Sequence, residues 1–178
     1  MNIENIKVVV FDLDGTLTNG MYEVNSEGIV SKQFYTRDFY GIEKLIKNNI
    51  KVMIMTQCTG KVISAKLREL DCTPPIWREF SKEEKILLCT KVENKKELLL
   101  DLIKDTGILW NFTLENIAYM GDADNDLECM KLVGYTACPS DATNKIMKES
   151  SFVSNYKGGY GAVYEFCMDL LEKKGVEL

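Results

Sequence analysis

Short runs of apolar, largely β-branched residues alternate along this chain with longer segments whose apolar residues recur at helical spacing. The short runs predict strands at residues 6–11, 51–55, 85–90, 116–120, 135–138 and 152–153. The periodic segments predict helices over 38–48, 60–70, 94–106, 124–132 and 162–173, the first of them capped by Asp38. Regular alternation of this kind predicts a doubly wound α/β fold around a mostly parallel sheet.

One stretch departs from that rhythm directly after the first strand. Residues 21–35 alternate between apolar and polar positions around the turn signal Asn25-Ser26-Glu27-Gly28, which predicts a β-hairpin inserted at about 17–36. The hairpin carries seven large apolar residues, namely Met21, Tyr22, Val24, Ile29, Val30, Phe34 and Tyr35. Two strands with no sheet behind them cannot bury all of these within one subunit, so we expect an oligomer.

Composition limits the class of protein. The 178 residues fit one domain, 1–178, and the apolar fraction of 46% with 28% charged residues is typical of a globular protein. A net charge of −5 argues against a nucleic-acid partner. No apolar run approaches the roughly 20 residues of a membrane span. The N-terminus has no secretory signal pattern and the six cysteines form no CxxC pair, so we expect a cytoplasmic protein with reduced thiols and no membrane contact.

The chain contains no histidine at all. This absence excludes Ser-His-Asp and Cys-His nucleophilic sites, histidine-ligated zinc and histidine acid/base catalysis. An enzyme with this composition must work with carboxylates, lysine, hydroxyl groups and a metal bound through oxygen. Two further stretches, 73–84 and 109–112, fit no regular element, and we interpret them as surface insertions without assigned chemistry.

Two carboxylates, Asp12 and Asp14, leave the end of the first strand one residue apart, and Gly15 follows at once. Ligands of open parallel sheets bind at the carboxyl ends of the strands. Acids placed there repel one another unless a cation lies between them, which favours a hard divalent metal with oxygen ligands.

A second acidic cluster, Gly121-Asp122-Ala123-Asp124-Asn125-Asp126, follows the fourth predicted strand. An EF-hand calcium loop is the rival interpretation of this spacing. It fails because Leu127 stands where that loop requires glycine and no glutamate closes the loop. Asp124 and Asn125 have a simpler interpretation as caps of the next helix.

Two other positions complete a possible phosphate site. Thr56 ends the second strand, where a hydroxyl and backbone N–H groups suit a phosphate oxygen. Lys95 begins the helix after the third strand and can neutralise phosphoryl charge, with Lys96 as an adjacent competitor. Taken singly, a threonine after a strand and a solvated surface lysine are the more ordinary interpretations.

The run Asp12-Leu13-Asp14-Gly15-Thr16 resembles motif I of the haloacid dehalogenase (HAD) phosphohydrolases. In the same order, Thr56, Lys95 and the 121–126 cluster resemble motifs II, III and IV of that family. The resemblance implies that Asp12 is the nucleophile, which becomes phosphorylated, and that Asp14 is the general acid/base.

For the metal, the resemblance implies Mg2+ held by Asp12, Asp122 and the backbone carbonyl of Asp14, with Asp126 supporting that shell. Thr56 and Lys95 would hold the phosphoryl oxygens.

Two further segments resemble one clade of this family. Residues 34–42 and 157–165 are similar to segments of the 3-deoxy-D-manno-octulosonate 8-phosphate (KDO 8-phosphate) phosphatases. The clade also holds 2-keto-3-deoxynononate 9-phosphate phosphatase and the phosphatase-like domains of some CMP-sialic acid synthetases. Between Asp14 and Thr56 there is room only for a hairpin and one helix, so the chain looks capless.

The resemblance to this clade implies a homotetramer in which a neighbouring subunit covers the site. It also implies a phosphorylated 2-keto-3-deoxy sugar acid as substrate, contacted by Thr56, Gln57, Lys95 and Arg37.

The chain departs from the clade at four positions. Gln57 and Cys58 replace glycine and a charged residue after motif II, Tyr164 replaces an arginine, and Ala123 replaces the second acid of motif IV. The sugar-recognising residues therefore do not carry over, and phosphatases of unrelated metabolites or phosphotransferases stay open. A non-catalytic assembly module is the rival from another class. The intact acids argue against it, because a retired site has no physical reason to keep repelling carboxylates.

Overall fold

A computed structural model describes residues 3–59, 61–68, 86–104 and 112–177. The 73–84 insertion and most of the 109–112 insertion lie outside these residues. The strands are β1 Val8–Asp12, β2 Glu23–Val24, β3 Val30–Ser31, β4 Lys51–Met55, β5 Ile86–Cys89, β6 Ile117–Met120, β7 Tyr135–Cys138 and β8 Phe152–Val153. The α-helices are α1 Thr36–Lys47, α2 Lys61–Arg68, α3 Lys95–Lys104, α4 Leu127–Met130, α5 Asn144–Glu149 and α6 Ala162–Lys173.

Six strands form one sheet in the order β5-β4-β1-β6-β7-β8, and every neighbouring pair is parallel. β1 lies between β4 and β6, so the chain reverses its direction of strand addition beside β1. In folds of this type the crevice at that reversal binds ligands. The predicted doubly wound α/β fold is confirmed, and the site belongs at the carboxyl end of β1.

Alternate residues of the strands pack into two cores, one on each face of the sheet. Val9 and Phe11 face a core shared with α1, α2 and α6, whereas Val8 and Val10 face a core shared with α3, α4 and α5. Burial on both faces explains why the strands read as continuous apolar runs rather than alternating ones. No helix of the described segments is long and apolar enough to cross a bilayer.

Most predicted elements are present with shifted ends. The predicted helix 124–132 is shorter, Leu127–Met130, and α5 was not predicted because its six residues carry little periodicity. Asp38 does not cap its own helix, which begins at Thr36 after Tyr35. Its buried carboxylate instead accepts a hydrogen bond of 2.8 Å from the backbone N–H of Tyr164, in the first turn of α6. Asp38 therefore joins α1 to α6.

The predicted hairpin forms as β2 and β3, two residues each, paired antiparallel. Its turn is organised by Asn25, whose side-chain oxygen accepts hydrogen bonds from the backbone N–H groups of Glu27 and Ile29 at 3.0 and 2.9 Å. Six of its seven large apolar side chains are exposed, with Met21 at 68% and Tyr22 at 64%. The seventh, Phe34, is partly buried against the core and packs edge-on against Phe39.

Candidate active site

Three carboxylates meet at the carboxyl edge of the sheet. Asp12 is the last residue of β1, whereas Asp122 and Asp126 follow β6. One carboxylate oxygen from each lies within 4.8 Å of one from each of the others. Asp12 and Asp126 are buried, and Asp122 is half-buried. Adjacent parallel strands bring the two sequence clusters together, because β1 and β6 pair in register and end at the same edge.

Lys95 is the cation that the chain itself supplies to this cluster. Its ammonium group pairs with Asp12 Oδ1 and lies 2.7 Å from Asp126 Oδ1, and the residue is only 3% exposed. Lys96, the competing candidate, points outward and pairs with Glu128 at 3.4 Å. The structure thus places Lys95 beside the carboxylates and Lys96 on the surface.

One lysine does not neutralise three acids, and the pKa values of the acids reflect this. Burial, together with the charge of Asp126, raises the pKa of Asp12 to about 8 although Lys95 opposes the shift. Burial and Asp126 also raise the pKa of Asp122 to about 6. Burial alone would lower the pKa of Lys95, but Asp12 and Asp126 outweigh it and raise that pKa. A further cation between the carboxylates would relieve the repulsion.

Several hydrogen-bond donors fix the carboxylate of Asp126. Besides Lys95, it accepts hydrogen bonds from the hydroxyl of Tyr119 at 2.7 Å and from the backbone N–H groups of Asp122 and Ala123 at 3.2 Å. Buried carboxylates of this kind fix the loop that surrounds them. Asp126 therefore sets the position of Asp122, an arrangement that fits the supporting role expected from the sequence.

Asp14 points away from the three carboxylates, toward the hairpin. Its side chain pairs with Lys32 and lies 3.1 Å from Cys58 Sγ and 3.3 Å from the hydroxyl of Thr18. Asp14 lies in the turn Leu13–Leu17, a wide turn in which Gly15 adopts a φ of 97°. Glycine is required there twice over, because a Cβ would also lie 2.1 Å from Asp122 Oδ2.

Thr56 is buried at the end of β4, and its hydroxyl oxygen accepts a hydrogen bond of 3.0 Å from the backbone N–H of Cys58. Gln57 is exposed and lines a cleft of about 250 Å³ with Lys91 and Glu93. Arg37 is exposed on α1 and lines a separate cleft of about 620 Å³. None of the expected catalytic side chains lines the Arg37 cleft, so within one chain Arg37 is not brought to the carboxylates.

Sequence reasoning missed three contacts of the site, made by Thr16, Lys32 and Tyr119, and it marked Cys58 only as a departure from the clade. Thr16 follows Gly15 in motif I and donates its hydroxyl to Asp122 Oδ1 at 3.3 Å, so its place in the motif was a usable signal. Lys32 is the one lysine of the 21–35 stretch, which is a weaker signal. Tyr119 looks like an ordinary core residue of β6, and only the fold reveals its contact with Asp126.

Comparison with known proteins defines the class of enzyme. The profile described as haloacid dehalogenase-like hydrolase matches residues 76–166. The chain belongs to the haloacid dehalogenase-like hydrolase family, and it is a phosphatase of that family, as the motifs predict.

Within that family, the chain is similar to several KDO 8-phosphate phosphatases. The chain is 30% identical over 172 residues to 3-deoxy-D-manno-octulosonate 8-phosphate phosphatase KdsC of Salmonella typhi, covering 97% of this chain and 82% of that protein. The crystal structure of the Yersinia pestis phosphatase of the same name superposes with a TM-score of 0.83 at 27% identity, over 97% and 84% of the two chains. The Moraxella catarrhalis phosphatase, solved with magnesium, phosphate and KDO, gives 0.82 at 26% identity, over 97% and 90%.

Proposed function

We propose that this protein is a Mg2+-dependent phosphomonoesterase that works through an aspartyl-phosphate on Asp12. The observation that carries the proposal is the buried cluster of Asp12, Asp122 and Asp126 around Lys95, at the carboxyl end of β1. A buried group of three acids with one lysine is costly to a chain unless it binds a cation and a charged substrate.

The residues fit magnesium. Carboxylate oxygens are the donors that this ion prefers. Burial, together with the charge of Asp126, raises the pKa of Asp12 and of Asp122, so a bound cation would stabilise their ionised forms. Asp12, Asp122 and the backbone carbonyl of Asp14 would hold it. When bound, the ion draws in the substrate phosphate and offsets its repulsion by the carboxylates.

Asp12 carries the covalent step. Its carboxylate attacks phosphorus in line with the ester oxygen, so a bond forms between Asp12 and phosphorus while the ester P–O bond breaks. Asp14 gives its proton to the departing alkoxide, which leaves as an alcohol. Asp14 then takes a proton from water, the water oxygen attacks phosphorus, and the bond to Asp12 breaks to release inorganic phosphate.

Thr56 and Lys95 hold the phosphoryl oxygens during both steps. Lys95 is fixed between Asp12 and Asp126, so it adds positive charge without having to reorganise. Lys32 holds the carboxylate of Asp14 toward the hairpin side, where the leaving group would lie.

For the substrate, we propose a phosphorylated 2-keto-3-deoxy sugar acid, with KDO 8-phosphate as the first candidate and a nonulosonate 9-phosphate as the second. The relatives named above support this choice, and the Moraxella catarrhalis structure contains KDO and phosphate. Thr56 and Lys95 are the substrate contacts that the geometry favours. Gln57 and Cys58 directly follow Thr56 in the sequence, and they are two of the four positions at which this chain departs from the clade.

We further propose that the working enzyme is a homotetramer in the cytoplasm. The six exposed apolar side chains of the hairpin support assembly, because a neighbouring subunit would remove them from water. A neighbour would also exclude water from a site that the sequence predicts to be capless. The five cysteines of the described segments are all unpaired, which fits a reducing compartment.

A phosphate-release screen tests the function. Purified protein is incubated with phosphorylated sugar acids, ordinary sugar phosphates and p-nitrophenyl phosphate, each with Mg2+ and with EDTA. We expect Mg2+-dependent release with the largest kcat/KM for a 2-keto-3-deoxy sugar acid phosphate. A higher kcat/KM for an unrelated metabolite would overturn the substrate assignment, and release that survives EDTA would overturn the metal assignment.

A further inference from the structure

A glycine-rich segment, residues 156–161, crosses behind the turn that follows β1, and we call it the strap. The backbone N–H of Gly159 donates to the carbonyl oxygen of Thr16 at 3.0 Å, and the N–H of Gly158 donates to Asp141 Oδ1 at 3.0 Å. The strap therefore binds the motif I turn on one side and the loop after β7 on the other.

The strap touches the turn without any intervening side chain. A Cβ on Gly158 would lie 1.7 Å from the carbonyl oxygen of Gly15, and a Cβ on Gly15 would lie 2.1 Å from Asp122 Oδ2. Gly158 backbone, Gly15 backbone and the Asp122 carboxylate thus form three layers in direct contact. Gly158 does not have a positive φ, so close approach rather than backbone conformation is what excludes a side chain at this position.

The two catalytic acids of motif I differ in how firmly they are fixed. Asp12 pairs with Met55 in the sheet and with Lys95, so its position is set by β4 and α3. Asp14 lies in the turn itself, outside helical geometry with a ψ of 111°, and Lys32 from the hairpin is its ion-pair partner. A displacement of Gly15 therefore moves Asp14 more than Asp12.

We propose that the strap is a positioning element for the general acid: Gly158, anchored by Asp141, presses the motif I turn against Asp122 and so holds Asp14 toward the leaving group. The inference rests on the proposed phosphatase function and adds two positioning residues to it, Gly158 and Asp141. Neither residue touches the three-carboxylate cluster through its own side chain, so a defect in either should appear in proton transfer to the leaving group.

Two esters with different leaving groups separate positioning from general damage. An alkoxide, as released from KDO 8-phosphate, needs a proton as it leaves, whereas p-nitrophenolate is a stable anion and leaves without one. For Gly158→Ala we expect kcat/KM to fall about 100-fold on KDO 8-phosphate and only about threefold on p-nitrophenyl phosphate. We compare kcat/KM because it covers the steps up to departure of the leaving group, whereas kcat also includes the later attack of water, in which Asp14 serves both esters alike. Gly175→Ala is the control for general damage, because it strains the backbone at a φ of 75° while nothing lies within 4 Å of the Cβ that it adds. It should leave the ratio of the two kcat/KM values unchanged.

A second pair of variants tests the anchor. Asp141→Ala removes the acceptor of the Gly158 N–H, whereas Asp141→Asn keeps an oxygen in the same place. We expect Asp141→Ala to lower the ratio of kcat/KM on the alkyl ester to kcat/KM on the aryl ester, and Asp141→Asn to restore it. This pair decides the question if Gly158→Ala fails to fold.

The outcomes separate this inference from the proposed function. Equal losses on both esters, or an unchanged ratio in Asp141→Ala, would overturn the positioning role while the phosphatase assignment stands. A wild-type protein that releases phosphate from neither ester with Mg2+ would overturn the phosphatase mechanism and the inference with it.

Discussion

The carboxyl edge of the sheet and the hairpin that follows β1 are opposites in how they treat unfavourable groups. At the sheet edge, the chain buries charged residues and satisfies them from within, as Lys95 and Tyr119 do for Asp126. In the hairpin, the chain leaves large apolar side chains exposed to water without covering them, as Met21 and Tyr22 illustrate. The first region is therefore suited to a cation and a charged substrate, whereas the second is suited to contact with a protein surface.

This difference indicates what kind of binding partner each region is suited to. A buried charge deficit calls for a small cation, because nothing larger fits between carboxylate oxygens within 4.8 Å of one another. The exposed apolar hairpin with its two-residue strands supports the proposed assembly with another subunit, because two isolated strands bury too little surface to be stable alone. Lys32 joins the two regions, since it extends from the hairpin to Asp14.

The largest effect we expect is at the sheet edge. Asp12→Asn replaces the nucleophile with an amide of nearly the same shape, so turnover should fall by about 10³-fold or more while the fold persists. Steady-state phosphate release measures the loss, and circular dichroism checks the fold. Activity surviving in the variant at the wild-type level would contradict the aspartyl-phosphate.

The next largest effect concerns the hairpin. A combined Val24→Glu and Ile29→Glu variant should convert a tetramer into smaller species by light scattering, and it should lose activity because the neighbour no longer covers the site. Ile29 with Phe34 would be the choice from sequence alone. Phe34 packs against Phe39 within the chain, so Val24 is the cleaner position.

Val153→Glu is the matched control for that variant, since Val153 is 45% exposed and lies outside the hairpin. It should leave both mass and activity unchanged. A wild-type monomer with full activity would remove the reason for proposing assembly through the hairpin.

Lys95 and Lys96 offer a contrast between neighbours. Lys95→Met should lower kcat by about 10²- to 10³-fold, because it removes a buried charge beside the phosphoryl site. Lys96→Met should change kcat by less than about twofold, since its exposed pair with Glu128 contributes little. Similar losses in both variants would mean that Lys95 acts only through general charge.

Asp38 predicts a pH dependence of stability. Burial raises its pKa to about 6 from 3.8, against the hydrogen bonds from α6. Asp38 therefore stays protonated in the folded protein over a pH range in which the unfolded chain has already lost that proton. The stability that Asp38 contributes is present below about pH 4 and is lost as the pH rises to about 6. The full shift corresponds to about 3 kcal/mol.

Asp38→Asn keeps an acceptor for the Tyr164 N–H but does not titrate. Urea unfolding of metal-free protein should therefore show the variant gaining on wild type by about 2–3 kcal/mol between pH 4 and pH 7. Asp12 and Asp122 titrate in both proteins, so their contribution cancels in the comparison. Parallel pH profiles would contradict the raised pKa.

The smallest effect is again at the sheet edge. Asp122→Asn removes one repelling carboxylate, so the metal-free variant should melt about 2–4 °C above wild type and gain less from added Mg2+. Differential scanning calorimetry with and without the ion measures both quantities. If wild type and variant respond equally to Mg2+, Asp122 is not a ligand.

Prediction from the sequence succeeded where the signal is local. β1, β4, β6 and β7 consist mainly of apolar residues, and the acids of motifs I and IV stand at or just after the ends of two of them. Prediction failed where a residue's partner is distant in the chain. Asp38 looked like the cap of its own helix, yet it binds the start of α6, 126 positions away in sequence.

The sequence by itself determined the order of the strands and of every described α-helix except α5, the doubly wound class and the set of groups available for chemistry. Periodicity and turn signals are properties of short segments, and the absence of histidine is a property of composition. Tertiary structure decided which lysine is buried beside Asp12, which way Asp14 points and which apolar residues stay exposed. These choices depend on contacts between strands and loops far apart in the chain. No local pattern encodes them, because each follows from where the whole sheet places the two ends of the contact.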